Sequence, residues 1–83
     1  MISEYIYAAL KNAHYEIIED EDPYYGEIPE LRGVWATGKT LEECRDNLTG
    51  NLEGWILVRN RLGMDIPTIN GYKVITPKEM KVA

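Results

Sequence analysis

The chain has 83 residues, 45% of them hydrophobic, and a formal net charge of −5. Such a length allows one domain with a thin core, and such a composition excludes wholesale disorder. Its single cysteine, Cys44, excludes an intramolecular disulfide framework and a Cys-rich zinc site.

The start, Met1-Ile2-Ser3-Glu4-Tyr5, lacks the basic flank and apolar core of a secretion signal, and no apolar run approaches the roughly 18 residues of a membrane span. The expected compartment is the cytoplasm, with no membrane partner. Residues 3–12 read as a short helix capped by Ser3. Ile2, Tyr5, Ile6, Ala9 and Leu10 recur at helical spacing. Residues 14–19 and 24–28 read as a β-hairpin around Glu19-Asp20-Glu21-Asp22-Pro23, where Asp-Pro signals a turn. Tyr24 and Ile28 point one way along the second strand and Tyr25 the other.

That turn is the centre of a charge asymmetry. Residues 1–30 hold eight acids and one base, and residues 31–83 hold six acids and eight bases. An acidic surface repels phosphate backbones and attracts basic partners. Glu19, Asp20, Glu21, Asp22 and Glu27 are therefore candidate partner-binding residues, with Tyr25 as an apolar anchor. The plainer alternative is a solvated turn that only aids solubility. Consecutive carboxylates splay apart, so this run does not suit a two-metal nuclease.

Leu31-Arg32-Gly33 turns the chain, and Val34-Trp35-Ala36-Thr37 makes a third strand ending at Gly38-Lys39. The inward or outward face of Trp35 depends on register. Thr40-Leu41-Glu42-Glu43 matches a capping box in which Glu43 reaches back to the Thr40 amide. Leu41, Cys44, Leu48, Leu52, Trp55, Ile56 and Leu62 then fall on one side of a long helix, with the stem of Arg59 covering the core edge. Gly63 stops it. Gly50, Gly54 and Leu57 line up away from that stripe. They read as a close-approach surface for the first helix or for a second subunit, the alternative being two tolerated poor helix formers. A small domain gains buried area by self-association, so a dimer or tetramer is expected. Asn70-Gly71 signals a turn, Tyr72 to Ile75 read as a last strand, and 76–83 as a flexible tail.

The order αβββαβ gives a single α+β domain over 1–83: two layers, a small antiparallel sheet on one long helix, with 1–13 as a helical extension. His14 has no second ligand nearby in sequence, and Cys44 on the apolar stripe reads as a buried, inert thiol. Gly33 and Gly38 read as turn glycines, and no phosphate loop is present. No catalytic residue, metal or cofactor is expected.

Tyr25-Gly26-Glu27-Ile28-Pro29-Glu30-Leu31-Arg32-Gly33-Val34 followed by Gly38-Lys39-Thr40-Leu41-Glu42-Glu43-Cys44 resembles the HicB antitoxin family, as do Gly63 and Ile66-Pro67 after the helix. The resemblance runs from about Tyr15 to Pro67. It implies a partial ribonuclease-H-like fold without nuclease activity, and neutralisation of a small basic toxin ribonuclease of HicA type. About 16 residues follow Pro67, fewer than a helix-turn-helix needs, so direct DNA binding is not expected. The other function considered is a homo-oligomeric adaptor with no toxin partner.

Overall fold

The computed structural model describes residues 2–74. Its elements are α1 (Ile2–Lys11), β1 (His14–Ile17), β2 (Tyr24–Glu27), β3 (Trp35–Gly38) and α2 (Leu41–Leu62). The strands form one antiparallel sheet in the order β1-β2-β3. Helix α2 lies on β2 and β3, and α1 packs beside α2. This is the two-layer α+β arrangement that the apolar stripe of α2 demands.

The register explains how a helix lies so close to this sheet. Tyr15, Gly26 and Ala36 stand in one row across the strands, and Ile17, Tyr24 and Gly38 in another. Side chains in these rows point to the same face. That face carries glycine or alanine where α2 crosses it. A Cβ on Gly26 would lie 2.8 Å from the Tyr15 ring and 3.2 Å from Cys44 Sγ. Over this floor α2 buries Cys44, Leu48, Leu52 and Ile56. Each large aliphatic side chain so buried contributes about 1.5–3 kcal/mol.

The stripe is shorter than the sequence suggests. Leu41 and Leu62 are exposed, and Trp55 is only partly buried against the core. A 22-residue helix is about 33 Å long, so both its ends overhang a sheet of four-residue strands. Arg59 does cover the core edge, with its guanidinium 4.4 Å above the Trp55 ring.

Both ends of α2 are fastened. Thr40 Oγ1 accepts the Glu43 amide at 3.0 Å. The carboxylate of Glu43 reaches the amide of Lys39 at 2.7 Å, not that of Thr40, so the box closes one residue earlier than expected. At the other end Gly63 adopts φ 69°, and the Met64 amide donates to the Arg59 carbonyl at 2.9 Å. This is the left-handed stop that favours glycine.

Two other expectations change. Ser3 lies inside α1, which starts at Ile2, and so does not precede it as a cap. The last strand is not formed over its described part. Ile69 and Tyr72 pair only with each other across Asn70-Gly71, in a single antiparallel bridge. Ile66, Ile69 and Val74 instead fill the core beside α1. Tyr5 Oη anchors this segment by donating to the Pro67 carbonyl at 2.5 Å. Ile75 and the tail at 76–83 lie outside the described residues.

Candidate functional site

Because the small residues set which face meets α2, the opposite face is fixed as well. It carries Glu16, Tyr25 and Thr37 in one row and His14, Glu27 and Trp35 in the next. Among the described residues no element lies over it. Tyr25 and Trp35 are diagonal neighbours across β2 and β3. Their rings stack at 6.1 Å between centroids, 25° from parallel. Trp35 is 53% exposed. A large aromatic left open to water on a rigid sheet is a feature of contact surfaces.

Glu16 and Glu27 lie on the β1 side of the stack, and Thr37 lies on the other. Tyr25 Oη donates to Glu27 Oε2 at 3.3 Å. Burial, then the charge of Glu27 and its hydrogen bond, then the charge of Glu16, push the Tyr25 hydroxyl above its usual range. The ring therefore stays a neutral donor at physiological pH, with negative charge on its β1 side.

The acidic turn joins β1 to β2 at one end of this face. The Ile18 amide closes it by donating to the Pro23 carbonyl at 2.8 Å, and the Asp22 amide donates to Asp20 Oδ2 at 3.4 Å. Glu19, Asp20 and Glu21 are exposed and Asp22 half-buried. Among the described residues, no three His, Cys, Asp or Glu side chains converge as a metal-holding group. The structure brings Tyr25 and Glu27 together and places Glu19 to Asp22 beyond the end of the strand that holds them. Glu16 and Trp35 join the site although sequence reasoning did not assign them there. The signal for both was the run of small residues at 26, 36 and 38, which identifies the helix-facing side.

A family model described as UPF0150-like matches residues 4–67, from the first turn of α1 past the end of α2. The chain belongs to the UPF0150-like family. It is similar to the crystal structure of TTHA0281 from Thermus thermophilus, with 46% identity and a TM-score of 0.87. That likeness covers 92% of this chain and 94% of the other. The comparison with curated proteins gives no match.

In this UPF0150-like chain the second candidate surface is the outer side of α2. A Cβ on Gly50 or Gly54 would meet nothing within 4 Å. The first helix is thus not the element that approaches them. It packs elsewhere, with Ile6 near Glu53, Ile56 and Leu57. Gly50 and Gly54 instead border an open groove with Gly33, Asn51, Trp55 and Val58. Leu57 is exposed but borders the depression on the α1 side, so the three do not form one patch. His14 is exposed on the open sheet face. Cys44 is buried on the sheet-facing side of α2, its Sγ donating to the Ala36 carbonyl at 3.6 Å, and burial pushes its thiol up.

Proposed function

We propose that this protein is a HicB-like antitoxin without catalytic activity, which binds a small basic HicA-type toxin ribonuclease and blocks its RNA site. The observation that carries the reading is the uncovered sheet face, with Tyr25 stacked on Trp35 and the carboxylates of Glu16 and Glu27 on the β1 side of that stack. An RNA-binding toxin must present cations where phosphates dock. Carboxylates beside an apolar centre compete for such a surface. The aromatic pair excludes water at the middle of the contact, and Glu19 to Asp22 extend the negative field beyond it. The HicB-like character of the family supports the reading, as does the sequence resemblance from Tyr15 to Pro67.

The test is a titration of the purified protein into a HicA-type ribonuclease. RNA cleavage should fall to background as a stoichiometric complex forms. Association should slow with added salt, and slow again when Glu19, Asp20, Glu21 and Asp22 are replaced by Asn or Ser. Undiminished cleavage in the presence of excess protein would refute the proposal. A second reading, a homo-oligomeric adaptor with no toxin, is favoured by the empty space over Gly50 and Gly54. It requires an assembly that Gly54→Arg breaks.

A further inference from the structure

The sheet has one closed edge and one open edge. On β3, Asn47 Nδ2 donates to the Thr37 carbonyl at 2.9 Å and Asn51 Nδ2 to the Trp35 carbonyl at 2.8 Å. In an antiparallel strand the N–H and C=O of one residue point the same way, and the direction alternates along the chain. Trp35 and Thr37 therefore face away from β2. Ala36 and Gly38 bond to Gly26 and Tyr24, while Tyr25 and Glu27 bond to Glu16 and His14. The Ile18 amide donating to Pro23 has the same phase. This leaves the backbones of Tyr15 and Ile17 facing outward from β1, with no further strand among the described residues. Exposed edges of this kind are sites of strand addition unless they are covered.

The side chains beside this edge complement one another. Ile17 is 74% exposed and points to the same side as Tyr15. On that side, at the other end of β1, Tyr7, Leu10, Ala13 and Tyr15 line a depression with Lys11 and Arg45 at its rim. The edge thus has an apolar knob beside an acidic turn at one end, and an apolar hole beside two cations at the other. A two-fold axis normal to the strand sets each knob in the opposite hole and each acidic turn beside the opposite cations.

We propose that β1 pairs antiparallel with β1 of a second copy of this chain, joining the two sheets into one continuous sheet. The register has Tyr15 on the axis, exchanging both backbone bonds with Tyr15 of the partner subunit. His14 then opposes the partner's Glu16, and Ile17 opposes the partner's Ala13 over the depression. A register centred on Glu16 sets two carboxylates face to face, which is destabilising. One centred on Ile17 leaves the depression empty. The seam does not depend on the antitoxin reading, and both Tyr25–Trp35 faces remain open on one side of the joined sheet.

Sedimentation equilibrium of the full chain tests this without any toxin. A reversible monomer–dimer equilibrium is expected. Ile17→Lys should weaken it by about tenfold or more, as for removal of a central apolar anchor. The far-UV spectrum and monomer stability should be retained, because Ile17 is exposed. Gly54→Arg on α2 should leave the dimer intact. Mild oxidation of mixed His14→Cys and Glu16→Cys chains should yield a cross-linked pair, and Glu16→Cys alone should not, since opposed residues of a non-hydrogen-bonded pair suit a disulfide. A strict monomer at high concentration, a dimer indifferent to Ile17→Lys, or cross-linking of Glu16→Cys alone would overturn the proposal.

Discussion

A Cβ built on Gly38 would lie 2.4 Å from the backbone nitrogen of Cys44 and 2.8 Å from its Cα. The last residue of β3 therefore meets the first turn of α2 backbone against backbone. The capping bonds from Thr40 and Glu43 hold that turn in place, so it cannot retreat cheaply. Gly38→Ala is expected to lower the unfolding free energy by about 3 kcal/mol, the upper end for overpacking. A shift in urea midpoint at constant slope measures it. Parental stability in this variant would show that α2 is not held at this distance.

The same substitution on the far side of α2 should have the opposite sign. Gly50 and Gly54 lie mid-helix with open space where a Cβ would go. Gly50→Ala and Gly54→Ala should each stabilise the chain by about 0.5–1 kcal/mol, the helix-propensity difference. Thermal or urea unfolding of the dilute protein would show it. Destabilisation would mean that another element occupies this face.

These glycines also show what the sequence could and could not disclose. The two helices, the hairpin, the third strand and the Gly63 stop each rest on local signals: periodicity, capping residues and turn dipeptides. All of them appear in the structure within a residue or two. The length of the buried stripe was not legible, because periodicity marks a face of a helix but not where its partner layer ends. Leu41 and Leu62 satisfy the pattern and still overhang the sheet. Over its described part the Tyr72 strand shrinks to one bridge, because Asn70-Gly71 turns the chain to pair Tyr72 with Ile69 and the described residues after it have no strand beside them. At the site, Tyr25 and Glu27 were legible from charge and alternation. Trp35 needed the register between β2 and β3, a non-local fact.

Tyr5 supplies a pH-dependent link between α1 and the segment after α2. Burial, with the charge of Glu30 adding, pushes its hydroxyl from 10.0 up to about 12. The folded state thus holds the proton more tightly than the unfolded chain. That contribution is complete below pH 10 and is lost as the pH rises from 10 towards 12. Tyr5→Phe removes the bond to the Pro67 carbonyl and should cost about 1 kcal/mol at neutral pH. The parent and variant unfolding midpoints should then converge across the same alkaline window. Parallel profiles would place the titration elsewhere.

Trp35 separates stability from binding. Its ring is half out of water and packs on Tyr25 rather than in the core, so Trp35→Ala gives up little of the fold. The expected loss is about 1 kcal/mol, the worth of an aromatic pair. At the centre of a partner contact the same ring is worth more, because there it loses its remaining water and fills a complementary pocket. Truncation of such an anchor costs about 2 kcal/mol, a rise in Kd of roughly 30-fold. Calorimetric titration against a HicA-type ribonuclease, the proposed partner, alongside thermal unfolding of the free protein, separates the two effects. A Kd that moves no more than the stability would place the contact on another surface.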